Sequence, residues 1–298
     1  MSSIAIARPA VPASHRATLT QLAVLEMRRY ARHPLFLVGT LITVASCVSR
    51  PDHRTGSYFD AIVPAAALGV VGLVAMASLT RNSHKLSTSA GAPPVPEWTQ
   101  TAALALAALV PFLVGIAWFA WAVWAAGHWP APPGGFPFGP VGEGWKLAWL
   151  FALGALPALG GPLLGLVIGR WLPQRGVAPL AAVLLVAATI LMQGLFEPLR
   201  RIRVIMPWTY FGGPIGIKGD SNRTLILSGS PQWYLAYLLC LCGLAVVAAL
   251  GHDPEARSRR WKIIGGLLLA AAVATCLLAM WTGVGHTIVN PIPSSAVS

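Results

Sequence analysis

The sequence predicts an all-α polytopic membrane protein: a bundle of six to seven transmembrane helices preceded by an amphipathic interfacial helix. Three observations carry this. Hydrophobic residues make up 56% of the 298 positions while Asp, Glu, Lys and Arg make up only 10%, against roughly 25% charged residues in a soluble domain. The apolar residues come in unbroken blocks, not in the one-sided pattern of an element that faces water. Most of these blocks are long enough to cross about 30 Å of hydrocarbon, and a water-soluble core could not bury so many of them.

Taken along the chain, residues 1–16 are small and Pro-containing, and they are expected to be disordered. A helix over 17–33 follows, with Thr18 and Gln21 spaced as a capping box. Leu19, Ala23 and Tyr30 share one face of it, and Gln21, Arg28 and Arg32 share the other. Such a helix suits a membrane surface, and Pro34 ends it. The transmembrane region runs over 34–284, with seven apolar segments near 34–49, 60–80, 101–127, 147–169, 177–196, 233–250 and 262–283. The first is short for a bilayer. A long outer loop is expected at 197–232 and a flexible tail at 285–298.

The net charge is +12, and the cations sit between apolar blocks, where orientation and anionic headgroups account for them. No basic groove interleaved with aromatics appears, so nucleic acid is not an expected partner. With the N-terminus in the cytoplasm, thirteen Lys and Arg fall inside and eight outside, five of the eight in the loop after the fifth span. Tryptophans support the span boundaries. Trp118, Trp121, Trp124, Trp129, Trp145, Trp149, Trp233 and Trp281 fall at the outer ends, and Trp98, Trp171 and Trp261 at the inner ends, where indole rings favour the interface.

Several chemistries are disfavoured. No charged residue lies mid-span, which argues against coupling to a proton or sodium gradient. The chain has no G-x-x-x-x-G-K-[ST] loop to cradle nucleotide phosphates and no H-E-x-x-H metal motif. Cys47, Cys240, Cys242 and Cys276 lie inside apolar segments as small hydrophobes, so no metal site is expected. Gly161, Gly165 and Gly169 recur every four residues with Gly154 one heptad earlier. They form a small-residue stripe that lets another helix come close, within the bundle or between subunits. Pro111 with Gly115, and Pro157 with Pro162, are expected to bend the third and fourth spans.

A basic helix carrying Glu26, Arg28, Arg29 and Arg32 leads through Pro34 into the first span. Arg81, Lys85 and Leu86, then Pro96–Glu97–Trp98–Thr99, follow the second. Trp233–Tyr234–Leu235–Ala236–Tyr237 opens the sixth, and Arg257, Arg259 and Arg260 follow it. This arrangement resembles the permease subunits of ABC-2-type exporters, particularly the small Ala-rich ones of actinobacteria. The resemblance implies a multi-pass protein of the bacterial plasma membrane with a cytoplasmic N-terminus. Its helix over 17–33 would be the connecting helix. Contact with the ATPase subunit would fall on Glu26, Arg29, Arg32, Arg81, Lys85, Leu86, Glu97 and Trp98. ATP and Mg would bind that ATP-binding cassette subunit, so this chain would be no enzyme, and a second permease copy or relative would complete the path. A seventh apolar segment departs from the six-span pattern of the family. A gradient-driven transporter or channel, and a membrane enzyme acting on lipids through Asp52, His53 and Asp60, are the rival readings.

Overall fold

The computed structural model describes residues 15–48, 61–89, 95–128, 142–194, 202–207, 215–217, 220–226, 229–283 and 288–291. Helices follow one another as α1 (His15–Ala31), α2 (Pro34–Val48), α3 (residues 62–89), α4 (Glu97–Ala107), α5 (Leu109–His128), α6 (Glu143–Trp171) and α7 (Val177–Gly194). The series ends with α8 (Pro231–Leu250) and α9 (Arg259–Trp281). The chain is an all-α polytopic membrane bundle. Five stretches are long and apolar enough to cross: Ile62–Ser83, Glu97–Ala125, Glu143–Trp171, Pro231–Leu250 and Arg259–Trp281. The first predicted span passes only when joined to α1 across a 63° bend, because Pro34 interrupts the ladder there. Of the fifth, the described residues form a shorter apolar helix over Val177–Met192, and residues 195 and 196 lie outside the described residues. Among the described residues, the seven predicted segments thus give five helices long and apolar enough to cross, one bent pair and one shorter apolar helix.

Prolines shape three of these helices in identifiable ways. After Pro64, residues Ala65–Val70 form a π turn, with the Val71 amide reaching back five residues to the Ala66 carbonyl. Before Pro157, residues Phe151–Ala155 do the same, the Leu156 amide reaching Phe151. A proline lacks the N–H that continues the ladder, and a widened turn is one local answer. The third predicted span breaks at Ala108, between α4 and α5 and one turn before Pro111, where the Ala108 amide bonds Ala105 instead of continuing the α pattern.

The glycine stripe is used inside the chain. A Cβ on Gly161 would collide with the carbonyl of Gly69, and one on Gly165 with the carbonyl of Leu73. One on Gly169 would come 2.7 Å from Thr80 Cβ. The stripe of α6 therefore lies directly on α3, backbone against backbone, the geometry small residues permit in lipid. Gly115 repeats this on the other side of α6, where a Cβ would lie 3.0 Å from the Ala155 carbonyl. With most of its residues enclosed, α6 is the central helix. α9, by contrast, turns Ile263, Ile264, Leu267, Leu269 and Val273 outward, as a lipid-facing helix does.

Several expectations are corrected. α1 begins at His15, so Thr18 lies inside the helix and is not its cap. Ala23 and Tyr30 do face the bundle while Gln21, Arg28 and Arg32 are exposed. Trp118, Trp145 and Trp149 are buried inside the bundle, so their rings do not face lipid. Trp145 and Trp149, one turn apart, stack at 6.2 Å, and Trp118 fills the notch that Gly154 leaves. Trp124, Trp233 and Trp281 are exposed at that end as expected. Within the predicted outer loop and tail, β1 (Ile215–Ile217), β2 (Asp220–Ile226) and β3 (Ile288–Pro291) pair antiparallel in the order β1-β2-β3. Part of the tail is thus a paired strand.

Candidate functional site

One end of the bundle gathers charge. Glu97 is the first residue of α4 and Arg170 lies in the last turn of α6. The carboxylate thus sits at a helix N-terminus and the guanidinium at a helix C-terminus, each where the backbone dipole favours it. Arg170 Nη1 donates to Glu97 Oε1 at 3.2 Å. The Arg170 side chain is only 3% exposed, and that of Glu97 is 31% exposed. His252, just past the end of α8, places Nδ1 2.7 Å from the same Glu97 oxygen. Next to it, Asp253 Oδ2 accepts the Trp98 amide at 3.0 Å. That amide is among the first N–H groups of α4, which have no partner within the helix. Asp253 therefore caps α4 from a different segment of the chain.

α1 closes the cluster from below. Its Glu26 is buried and accepts Arg29 Nη1 at 2.8 Å. Burial pushes the Glu26 carboxyl up from its ordinary range, while Arg29, a Ser83 hydrogen bond and Arg170 pull it down. Arg170 lies within electrostatic reach of Glu97, Asp253 and Glu26. One buried cation thus draws together carboxylates from α1, α4 and the turn after α8. Among the described residues Glu26 Oε2 and Arg170 Nε and Nη2 are enclosed without a hydrogen-bond partner, so within them the cluster holds unused bonding capacity. Around it, Trp171 Nε1 donates to the Ala248 carbonyl at 3.0 Å, and its ring meets His252 edge-on at 5.3 Å.

The residues singled out from the sequence divide in three. Glu26, Arg29, Glu97 and Trp98 meet in the cluster. Arg81 stands beside it at the end of the α3 span, donating to the Gln174 carbonyl at 3.1 Å, and Arg32 is exposed in the turn after α1. Lys85 and Leu86 ride on the last turns of α3, their side chains outside the described residues. Sequence reasoning missed Arg170, His252 and Asp253. Each stands at the end of an apolar block, and the signal was available: a helix-terminal charge beside Trp171, and a His-Asp pair just past α8.

At the opposite end a further missed residue appears. Arg203, expected among cations meeting lipid phosphates, is fully buried in the short turn Arg203–Ile205. That turn is held by α8, where Tyr237 donates to the Ile205 carbonyl at 2.7 Å and Tyr234 to the Met206 carbonyl at 3.0 Å. Among the described residues no three His, Cys, Asp or Glu side chains converge as a metal site. Asp52, His53 and Asp60 lie outside the described residues. What the charged cluster can do chemically is hold or exchange ion pairs. Comparison of the chain with protein-family models, with curated proteins and with solved structures finds no match.

Proposed function

We propose that this chain is the membrane subunit of an ATP-driven transporter of the ABC-2 exporter type, energised by a separate ATP-binding subunit. One observation supports the reading above others. The N-terminal helix, the start of α4, the end of α6 and the turn after α8 meet at one end of the bundle through Glu26, Glu97, Arg170 and Asp253. A force applied there reaches α6, on which the α3 and α5 packing depends. Ion pairs with spare donors and acceptors can be re-formed between two arrangements of the same helices, which is how packed bundles switch. On this reading the charged end faces the bacterial cytoplasm, ATP and Mg stay on the partner, and two permease chains enclose the path.

The test is co-expression with any ATP-binding subunit encoded beside it, followed by purification and an ATPase assay in liposomes. The expected result is a stable complex whose hydrolysis is stimulated by the membrane chain, with stimulation lost in Glu26→Lys while the fold persists. Absence of any ATP-binding partner, or solute movement by the purified chain alone, overturns it. A gradient-driven transporter is the second reading, favoured by the adjacent titratable pair Glu97 and His252. A proton flux in liposomes carrying this chain alone would select it.

A further inference from the structure

An apolar groove of about 270 Å³ runs between α6 and α8. Leu156, Leu164 and Val167 form one wall, Leu238, Leu241 and Ala245 the other, and Gly160, with no side chain, leaves the α6 wall recessed. Its volume lies just under the roughly 300–1,000 Å³ of small-molecule pockets, and among the described residues no charged side chain lines it. A slot this narrow and apolar, on a bundle that sits in lipid, suits one hydrocarbon chain.

What lies at its ends decides which lipid. Pro207 lines the groove toward the Arg203 turn. Toward the charged end, Ala248 lines it and the Trp171 indole bonds the Ala248 carbonyl, so that Trp171 bridges the two walls. The two segments that leave the walls at this end both carry cations. Arg175 follows Trp171 in an exposed turn, and Arg257 is anchored by Nε to the Gly251 carbonyl at 2.7 Å. Arg259, Arg260 and Lys262 follow on the exposed start of α9. The nearby Asp253 accepts the Trp98 amide and lies within electrostatic reach of Arg170, and with Glu255 it sets two carboxylates against the five cations of this rim. Arg side chains pair well with phosphate oxygens, and juxtamembrane cations attract anionic lipid.

We infer that the α6–α8 groove is a binding site for an anionic phospholipid, with one acyl chain between Leu164 and Leu241 and its phosphate at Arg175 and Arg257. This depends only on the chain residing in a membrane, not on the transporter reading. A lipid seated there would fill the gap beside the central helix and set the spacing of α6 and α8.

The experiment uses the full chain released from vesicles of equal phosphatidylglycerol and phosphatidylcholine, with retained lipid read by native mass spectrometry. The expected outcome is about one retained phosphatidylglycerol per chain, at least tenfold over phosphatidylcholine. In the double variant Arg175→Gln/Arg257→Gln this preference falls to near parity. In Ala245→Trp, which fills the groove and leaves the cations, retained lipid is lost. Cys242 lines the groove, so a second reading needs no variant: its alkylation, mapped by peptide against Cys240, slows at least threefold in phosphatidylglycerol and not in phosphatidylcholine. Equal retention of the two lipids, retention unchanged by Ala245→Trp in a folded protein, or Cys242 protection only on dimerisation would each overturn the inference.

Discussion

At one end of the bundle Glu26, Glu97, Arg170, His252 and Asp253 meet through ion pairs and a borrowed helix cap. At the other, Trp118, Trp145, Trp149, Tyr234 and Tyr237 meet through ring contacts and two hydroxyl–carbonyl bonds. The difference teaches where such a bundle can move. Ring packing sums many weak contacts, so it tolerates no partial change and holds its helices at fixed spacing. The ion pairs are few, and each depends on one partner, so an incoming charge can displace them one at a time. On the transporter reading, the aromatic end would serve as the anchor and the charged end as the handle.

The largest effect that could break this contrast is at the anchor. Trp149→Ala empties a fully enclosed site, and large-to-small core changes of this kind cost about 3–5 kcal/mol. The expected outcome is a markedly lower midpoint of thermal unfolding in detergent, read by labelling of the chain's own cysteines. Cys276 is buried and reports loss of packing directly. A shift too small to measure would show that the rings do not hold that end.

Next comes the handle. Arg170→Ala leaves Glu97 and Asp253 facing each other around a vacated cation site. Breaking a buried pair typically costs about 3–5 kcal/mol, and the one-third exposure of Glu97 places this one at about 3 kcal/mol. A double-mutant cycle with Glu97→Gln sharpens the point. If the two changes together cost little more than Arg170→Ala alone, the pair is coupled. Strict additivity would mean that Arg170 acts through packing alone.

The membrane bundle was legible from the chain because its signal, long blocks without charge, is additive over dozens of residues such as those from Leu147 to Ile168. The helix over 17–33 and its two faces were also legible, since Ala23 and Tyr30 recur at helical spacing. Burial of individual polar and aromatic residues was not. Trp118 and Trp149 occupy positions that hydropathy cannot tell from an interfacial belt, and only the meeting of Gly154 with Trp118 decides between them. Arg170 and Asp253 are brought to Glu97 and Trp98 from 73 and 155 residues away. No local pattern encodes such a meeting. Glu26, Arg29, Glu97 and Trp98 were singled out from the sequence as partner contacts, but their meeting in one cluster, and the cation and cap that join it, were not.

Between the two ends runs the seam of α6 on α3, and a smaller loss is expected there. Gly165→Ala puts a methyl group against the Leu73 carbonyl, which is backbone and cannot swing aside. Overpacking a close contact costs about 1–3 kcal/mol. The midpoint should fall with Gly165→Ala yet stay level with Gly266→Ala, whose Cβ would meet open space. Equal behaviour of the two variants would mean that α6 and α3 do not approach as closely as the geometry requires.

The smallest effect tests whether the aromatic end is held by rings alone. Tyr237→Phe keeps the ring and deletes one hydroxyl, the donor to the Ile205 carbonyl at 2.7 Å. A single neutral hydrogen bond contributes about 0.5–1.5 kcal/mol, so the midpoint should shift by little. The turn it holds should loosen more than the bundle does, because the Ile205 carbonyl loses its tyrosine donor while Tyr234 still holds Met206. Proteolysis or hydrogen exchange at residues 202–207 separates the two. Faster exchange there with an unchanged unfolding midpoint is the expected pattern. No change at that turn would show that burial of Arg203, and not the tyrosine hydroxyls, fixes it on α8.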